Sequence, residues 1–209
     1  MIVTKGIDYA WSHPNVLKIP EDYSFVARYY SHDTSKLVNP LEALAICSTG
    51  RRLVTVWEDS ANRAVSGPSS GTVDGNAAKF QAVTDHQPTT SPIYIAVDYD
   101  APQGDWANIA AYVDAFQKAS GYPVGLYGDY FICDQMYKDG HVQYIWQTIA
   151  WSSGRVHPEA HIYQTGEQIV IDGVTCDVNY AEKEDYGSWT IASEATIQEE
   201  PGISYVRTS

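Results

Sequence analysis

Asp98 and Asp100, two residues apart in the run PIYIAVDYD (92–100), have the most chemistry to offer in this sequence. On a strand that spacing puts both carboxylates on one face and Tyr99 on the other. Neighbouring carboxylates resist simultaneous ionisation, so one of them holds its proton near neutral pH. A protonated and an ionised carboxyl together suit cleavage of a glycosidic bond. One protonates the departing oxygen, and the other attacks or stabilises the sugar carbon. Glu58, which closes RLVTVWE, and Asp8, which closes KGID, complete the expected catalytic set. Arg28 is expected either to clamp substrate or to form an ion pair with Glu58.

These residues need a frame that brings distant strand ends together. Strand-like and helix-like segments alternate: strands at 5–10, 24–30, 52–58, 92–100 and 123–127, and helices at 39–49, 71–86, 106–120 and 130–138. Pro40 and Gly50 bracket the first helix, while Asp105 and Gly121 are expected to cap the third. Three strands then follow without room for long helices, at 143–150, 160–165 and 168–177. About five β-α units followed by three strands predict an α/β fold, a TIM-like barrel. The active face of such a barrel is the rim at the C-terminal strand ends. Tyr127, Gln147, Gln164 and Asp177 fall at strand ends and are expected to bind substrate, with Trp151 as a stacking surface just beyond. The barrel is assigned to residues 1–181, and 182–209 to a C-terminal extension or linker.

Composition narrows the ligand. The 209 residues carry 26 Asp and Glu against 13 Lys and Arg, a net charge of -13. A protein that binds nucleic acid or an anionic membrane needs a basic face, so neither is an expected partner. No run approaches the ~18 apolar residues of a membrane-spanning helix. Sixteen Tyr and 6 Trp outnumber 4 Phe, so most aromatic rings carry a polar handle suited to sugar faces and hydroxyls. Cys47, Cys133 and Cys176 show no metal spacing and are expected to be buried thiols. His13, His32 and His161 follow no ligand pattern either, so no metal or cofactor is expected. The opening MIVTKGIDYAW has neither a basic n-region nor an apolar h-region. Synthesis in the cytoplasm, with action at a cell wall after release or injection, is therefore the expectation.

Taken in order, GIDYAW, IAVDYD, YGDY, IWQ, IYQTG and CDVNYA resemble the glycoside-hydrolase-like domains related to family 25 lysozymes, over roughly residues 1–181. The resemblance implies a barrel of five β-α units and three strands, and muramidase-like hydrolysis of bacterial peptidoglycan, as in a phage lysin or an injected effector. The family's early Gly-Ile/Val-Asp motif falls on Asp8, its fourth-strand Asp-x-Glu on Asp98 and Asp100, and its late Asp on Asp177. At Asp100 this chain has Asp where the family has its acidic Glu. A side chain one methylene shorter withdraws the carboxyl by about a C–C bond, and misplacement near 1 Å costs on the order of a hundredfold in rate. Glu58 is the substitute acid under that reading. A barrel that binds glycan without cleaving it is the alternative.

Overall fold

The computed structural model describes residues 3–191. Among them, eight strands close into a barrel in sequence order: β1 (Thr4–Asp8), β2 (Tyr23–Tyr30), β3 (Arg52–Trp57), β4 (Ile93–Ala96), β5 (Val124–Gly128), β6 (Tyr144–Thr148), β7 (Ile162–Ile171) and β8 (Val174–Ala181). Four helices pack outside: α1 (Pro40–Ser48), α2 (Pro68–Thr84), α3 (Gln103–Ser120) and α4 (Tyr130–Lys138). The first crossover, between β1 and β2, holds only the single 3-10 turn Val16–Lys18. The expected TIM-like plan of five units and three strands is present.

Local sequence accounts for the helix ends. Asn39 caps α1 by accepting from Leu41 N at 3.1 Å and Glu42 N at 3.0 Å, ahead of Pro40 in the first turn. Asp129 caps α4 in the same way, through Phe131 N and Ile132 N. Helix α3 begins three residues earlier than expected, at Gln103, so Asp105 lies within its first turn and accepts from the Tyr99 hydroxyl at 2.8 Å. Gly121 ends α3 in the left-handed region, at φ +75°.

Two departures among the strands matter for the site. The run 168–177 is not one strand. Asp172 and Gly173, at φ +52° and +82°, make the two-residue turn of a hairpin between β7 and β8. An Asp-Gly pair between alternating apolar residues suits this turn, because both positions need positive φ. Strand β8 therefore runs antiparallel to both β7 and β1. Its early residues, rather than its end, lie at the rim, and Asp177 registers opposite Asp8.

The second departure is in β4, which stops at Ala96. Beyond it, Val97 N donates to Tyr127 O, and Asp98 N turns to Ala61 O in the β3–α2 connection.

The barrel interior is filled by Phe25, Ala27, Val54, Val56, Tyr94, Ala96, Trp146, Ile162 and Ala181. Gly6 and Gly125 make room for two of these rings: a Cβ would fall 2.4 Å from Phe25 at Gly6 and 2.4 Å from Tyr94 at Gly125. Residues following Ala181 close the opposite end. Tyr186 joins the interior cluster, and Trp189 pairs with Leu53 through reciprocal backbone bonds of 2.8 Å. The expected extension 182–209 is thus packed on the barrel as far as Ile191, and the remainder lies outside the described residues. Cys133 and Cys176 are buried thiols, whereas Cys47 is half-buried and accepts from Ile191 N.

Candidate active site

Strand alternation decides which side chains reach the rim cavity. Inward positions on successive strands lead to Asp8, Tyr29, Glu58, Asp98, Tyr127, Gln164 and Asp177, and all seven line one cavity of about 580 Å³. Trp11, Lys36 and Gln168 contribute to its walls.

Asp8 is the most enclosed member. Its Oδ1 accepts from the Tyr29 hydroxyl at 3.0 Å, and its Oδ2 accepts from Gln164 Nε2 at 2.9 Å and Asn179 Nδ2 at 2.7 Å. These donors are fixed in turn. Trp146 Nε1 donates to Asn179 Oδ1 at 2.8 Å, and the Tyr127 hydroxyl donates to Gln164 Oε1 at 2.7 Å. Burial raises the Asp8 pKa to about 6, with the Asp177 charge adding to the shift and the three donors opposing it. Asp177 accepts from Gln168 Nε2 at 2.9 Å across the β7–β8 hairpin.

Asp98 and Glu58 form the second group, on the adjacent strand ends of β4 and β3. The Asp98 pKa is also raised to about 6, first by burial and next by the Glu58 charge. The Tyr127 hydroxyl and the Lys36 ammonium oppose that rise. Glu58 Oε1 accepts from Lys36 Nζ at 3.0 Å. The cavity therefore holds two carboxyls of raised pKa, Asp8 enclosed by three donors and Asp98 beside the ion-paired Glu58.

Four expected site residues lie outside the cavity lining. Arg28 is on the outward face of β2 and wholly buried. It pairs with Glu42 at 2.8 Å rather than with Glu58. Gln147 is likewise outward on β6, where it accepts from His157 N at 2.7 Å and donates to Arg155 O at 2.7 Å. Both lie one residue out of phase with the inward positions of their strands, Ala27 and Tyr29 on β2 and Trp146 on β6.

Asp100 misses for another reason: inward parity carries two residues past the end of β4, to Asp98, but not to Asp100, which is exposed and outside the cavity lining. Trp151 sits at φ +54° in the turn after β6, 43% exposed and clear of the cavity. Lys36 is the contributor that sequence reasoning missed. It lies in the β2–α1 loop, where no periodicity or motif marks it.

A family model for "Rv2525c-like, glycoside hydrolase-like domain" matches residues 15–181. Among solved structures, the Tat-secreted protein Rv2525c of Mycobacterium tuberculosis, in complex with L-tartrate, superposes with a TM-score of 0.83 at 23% identity, covering 90% of this chain and 99% of that one. The catalytic domain of endolysin ply40, from bacteriophage P40 of Listeria monocytogenes, gives 0.58 at 14% identity, covering 88% and 95%. A family 25 glycosyl hydrolase from Bacillus anthracis gives 0.55 at 15% identity, covering 88% and 93%. At such identities these likenesses speak for the fold. Comparison with curated proteins by sequence gives no match. The family model spans most of the chain, and on that ground the chain belongs to the Rv2525c-like family of glycoside hydrolase-like domains.

Proposed function

We propose that the rim cavity is a glycosidase site acting on the glycan of bacterial peptidoglycan, with Asp98 as the acid and Glu58 as its anionic partner. The observation that carries this reading is the placement of Asp98, with its raised pKa, beside the lysine-paired Glu58 in one cavity. In the reaction, the Asp98 proton passes to the glycosidic oxygen as the bond from that oxygen to the sugar carbon breaks. Glu58 stabilises or attacks the carbon, and water supplies the new hydroxyl, its second proton returning to the carboxylates. Asp8, held by three donors, and Asp177 line the sugar's other side as oriented acceptors. Tyr127 and Gln164 extend that hydrogen-bonding wall.

The relatives support both substrate and place of action. One is the catalytic domain of an endolysin, another is a family 25 glycosyl hydrolase, and Rv2525c is Tat-secreted. Action outside the cytoplasm, at the wall, is the localisation we infer. The test is release of reducing ends from purified peptidoglycan. Activity is expected in the native protein and lost in Asp98→Asn and Glu58→Gln, and retention of full activity in both variants overturns the assignment.

A second reading is favoured by one observation. The position of the family's acidic Glu is occupied by Asp100, which is exposed and outside the cavity. A barrel that binds peptidoglycan strands without cleaving them then gives saturable binding and no product over long incubation.

A further inference from the structure

Trp11 lines the cavity and yet is 64% exposed. Lone exposed aromatic residues are ordinary on protein surfaces. Trp11 differs in being fixed in place. Its Nε1 donates to Asp33 Oδ2 at 3.2 Å, which sets the plane of the indole. Lys36 Nζ stands 4.8 Å from the ring centroid and covers one face. Both partners are themselves held. Asp33 Oδ1 accepts from Ser35 N at 2.9 Å and Ser35 Oγ at 2.6 Å, and Lys36 is anchored to Glu58.

Behind this wall lies Arg28. Its guanidinium donates to the carbonyls of Tyr9 and Ala10, immediately before Trp11, and to the carbonyl of Lys36 at 3.3 Å. One buried side chain thereby ties the loop that carries Trp11 to the loop that carries Lys36, while Glu42 balances its charge. The outcome is an indole at the cavity edge held by a hydrogen bond at its edge and a cation over one face, with most of its surface exposed. An exposed indole of preset orientation matches the C–H face of a pyranose ring, and the contacts that hold it lower the ordering cost when the ring arrives.

We infer that Trp11 is the stacking platform of a rim subsite that binds a second sugar ring, with Arg28 as the positioning residue behind it. The inference rests on the glycan reading of the cavity and specifies its ligand as an oligosaccharide of two or more rings.

The experiment titrates N-acetylglucosamine and soluble peptidoglycan glycan fragments of two and four rings into the Asp98→Asn protein, which does not turn them over. The same titrations are run with Trp11→Ala, Trp11→Phe or Trp151→Ala added. The tetramer is expected to bind at least about tenfold more tightly than the monomer, a difference of about 1.4 kcal/mol. Trp11→Ala is expected to erase about tenfold of tetramer affinity, the scale of a truncated aromatic anchor, and to leave the monomer within about twofold. Trp11→Phe keeps part of the gain, and Trp151→Ala keeps all of it.

Arg28→Lys is read by fluorine NMR of 5-fluorotryptophan protein, with Trp11 assigned from Trp11→Phe. The Trp11 resonance is expected to move while the other five stay in place. A length dependence that survives Trp11→Ala, or equal loss for monomer and tetramer, overturns the subsite. A Trp11 resonance unchanged in Arg28→Lys overturns the positioning role. If no fragment binds the parent protein at all, the glycan reading of the cavity fails first, and the subsite fails with it.

Discussion

Asp98 has Glu58, and not Asp100, as its electrostatic partner. The two reach one cavity from adjacent strand ends, and the Glu58 charge ranks next to burial in holding the Asp98 proton. Lys36 distinguishes them by pairing with Glu58 at 3.0 Å and leaving Asp98 without an ion-pair partner among the described residues. Two carboxyls of similar chemistry thus stand in different surroundings, which suits the proposed roles of acid and anion.

The first prediction concerns the rate. With an Asp98 pKa of about 6, the protonated acid is plentiful below that pH and scarce above it. Turnover on peptidoglycan is expected to fall about tenfold for each pH unit above 6, because only the protonated fraction delivers a proton. A pH–rate profile on solubilised wall fragments checks this. A rate that climbs steadily from pH 6 to 8 contradicts Asp98 as the acid.

Asp100 gives the contrasting case. It is exposed and outside the cavity lining, so Asp100→Asn and Asp100→Ala are each expected to keep turnover and glycan affinity within about twofold of the parent protein. The same assays that register the loss in Asp98→Asn measure it. A hundredfold loss in Asp100→Asn would return the acid's role to Asp100 and imply that β4 extends when substrate binds.

The contrast between Asp98 and Asp100 also marks how far sequence reaches. Alternating elements sufficed for the barrel, because parallel strands and outer helices each bury one predictable face. Asp8, Glu58, Asp98, Tyr127 and Gln164 were legible because each keeps its strand's inward parity. The same parity places Arg28 and Gln147 outside, so strand-end position alone does not separate inward from outward residues. Asp177 reaches the rim from the early part of an antiparallel β8, a reversal that the Asp172-Gly173 pair signals. Lys36 had no local signal. Its position depends on Arg28 gripping its carbonyl and on Glu58 arriving from another strand, and both contacts are tertiary.

A stability prediction follows from the same raised carboxyl. Asp98 binds its proton more tightly folded than unfolded, where its pKa is near 3.8. Its contribution to stability is therefore fully present below pH 4 and is lost as the pH rises through about 6. Asp98→Asn removes that penalty. At pH 7 the variant is expected to be more stable by about 1–2 kcal/mol, discounted for partial exposure, with the gain vanishing near pH 4. Urea denaturation at the two pH values measures the difference. A variant less stable than the parent at pH 7 shows that Asp98 is satisfied as an anion in the folded protein.

Arg28 offers the sharpest separation of structure from chemistry. Its guanidinium is buried on the outer side of β2, gripping Glu42, three backbone carbonyls and His13 Nε2. Arg28→Met leaves the nearly buried Glu42 carboxylate without its cation, and removing one member of such a pair costs about 3–5 kcal/mol. Glu42→Gln strands the arginine instead, although the carbonyls still hold it, so a smaller loss of about 2–3 kcal/mol is expected. The double variant Arg28→Met/Glu42→Gln removes both charges, and its loss is expected to fall well short of the sum of the two, as for residues sharing one network. Urea denaturation of the four proteins closes the cycle. Strict additivity would mean that the two side chains stabilise the barrel independently, and the outer clamp on the loops of Trp11 and Lys36 would then rest on Arg28 alone.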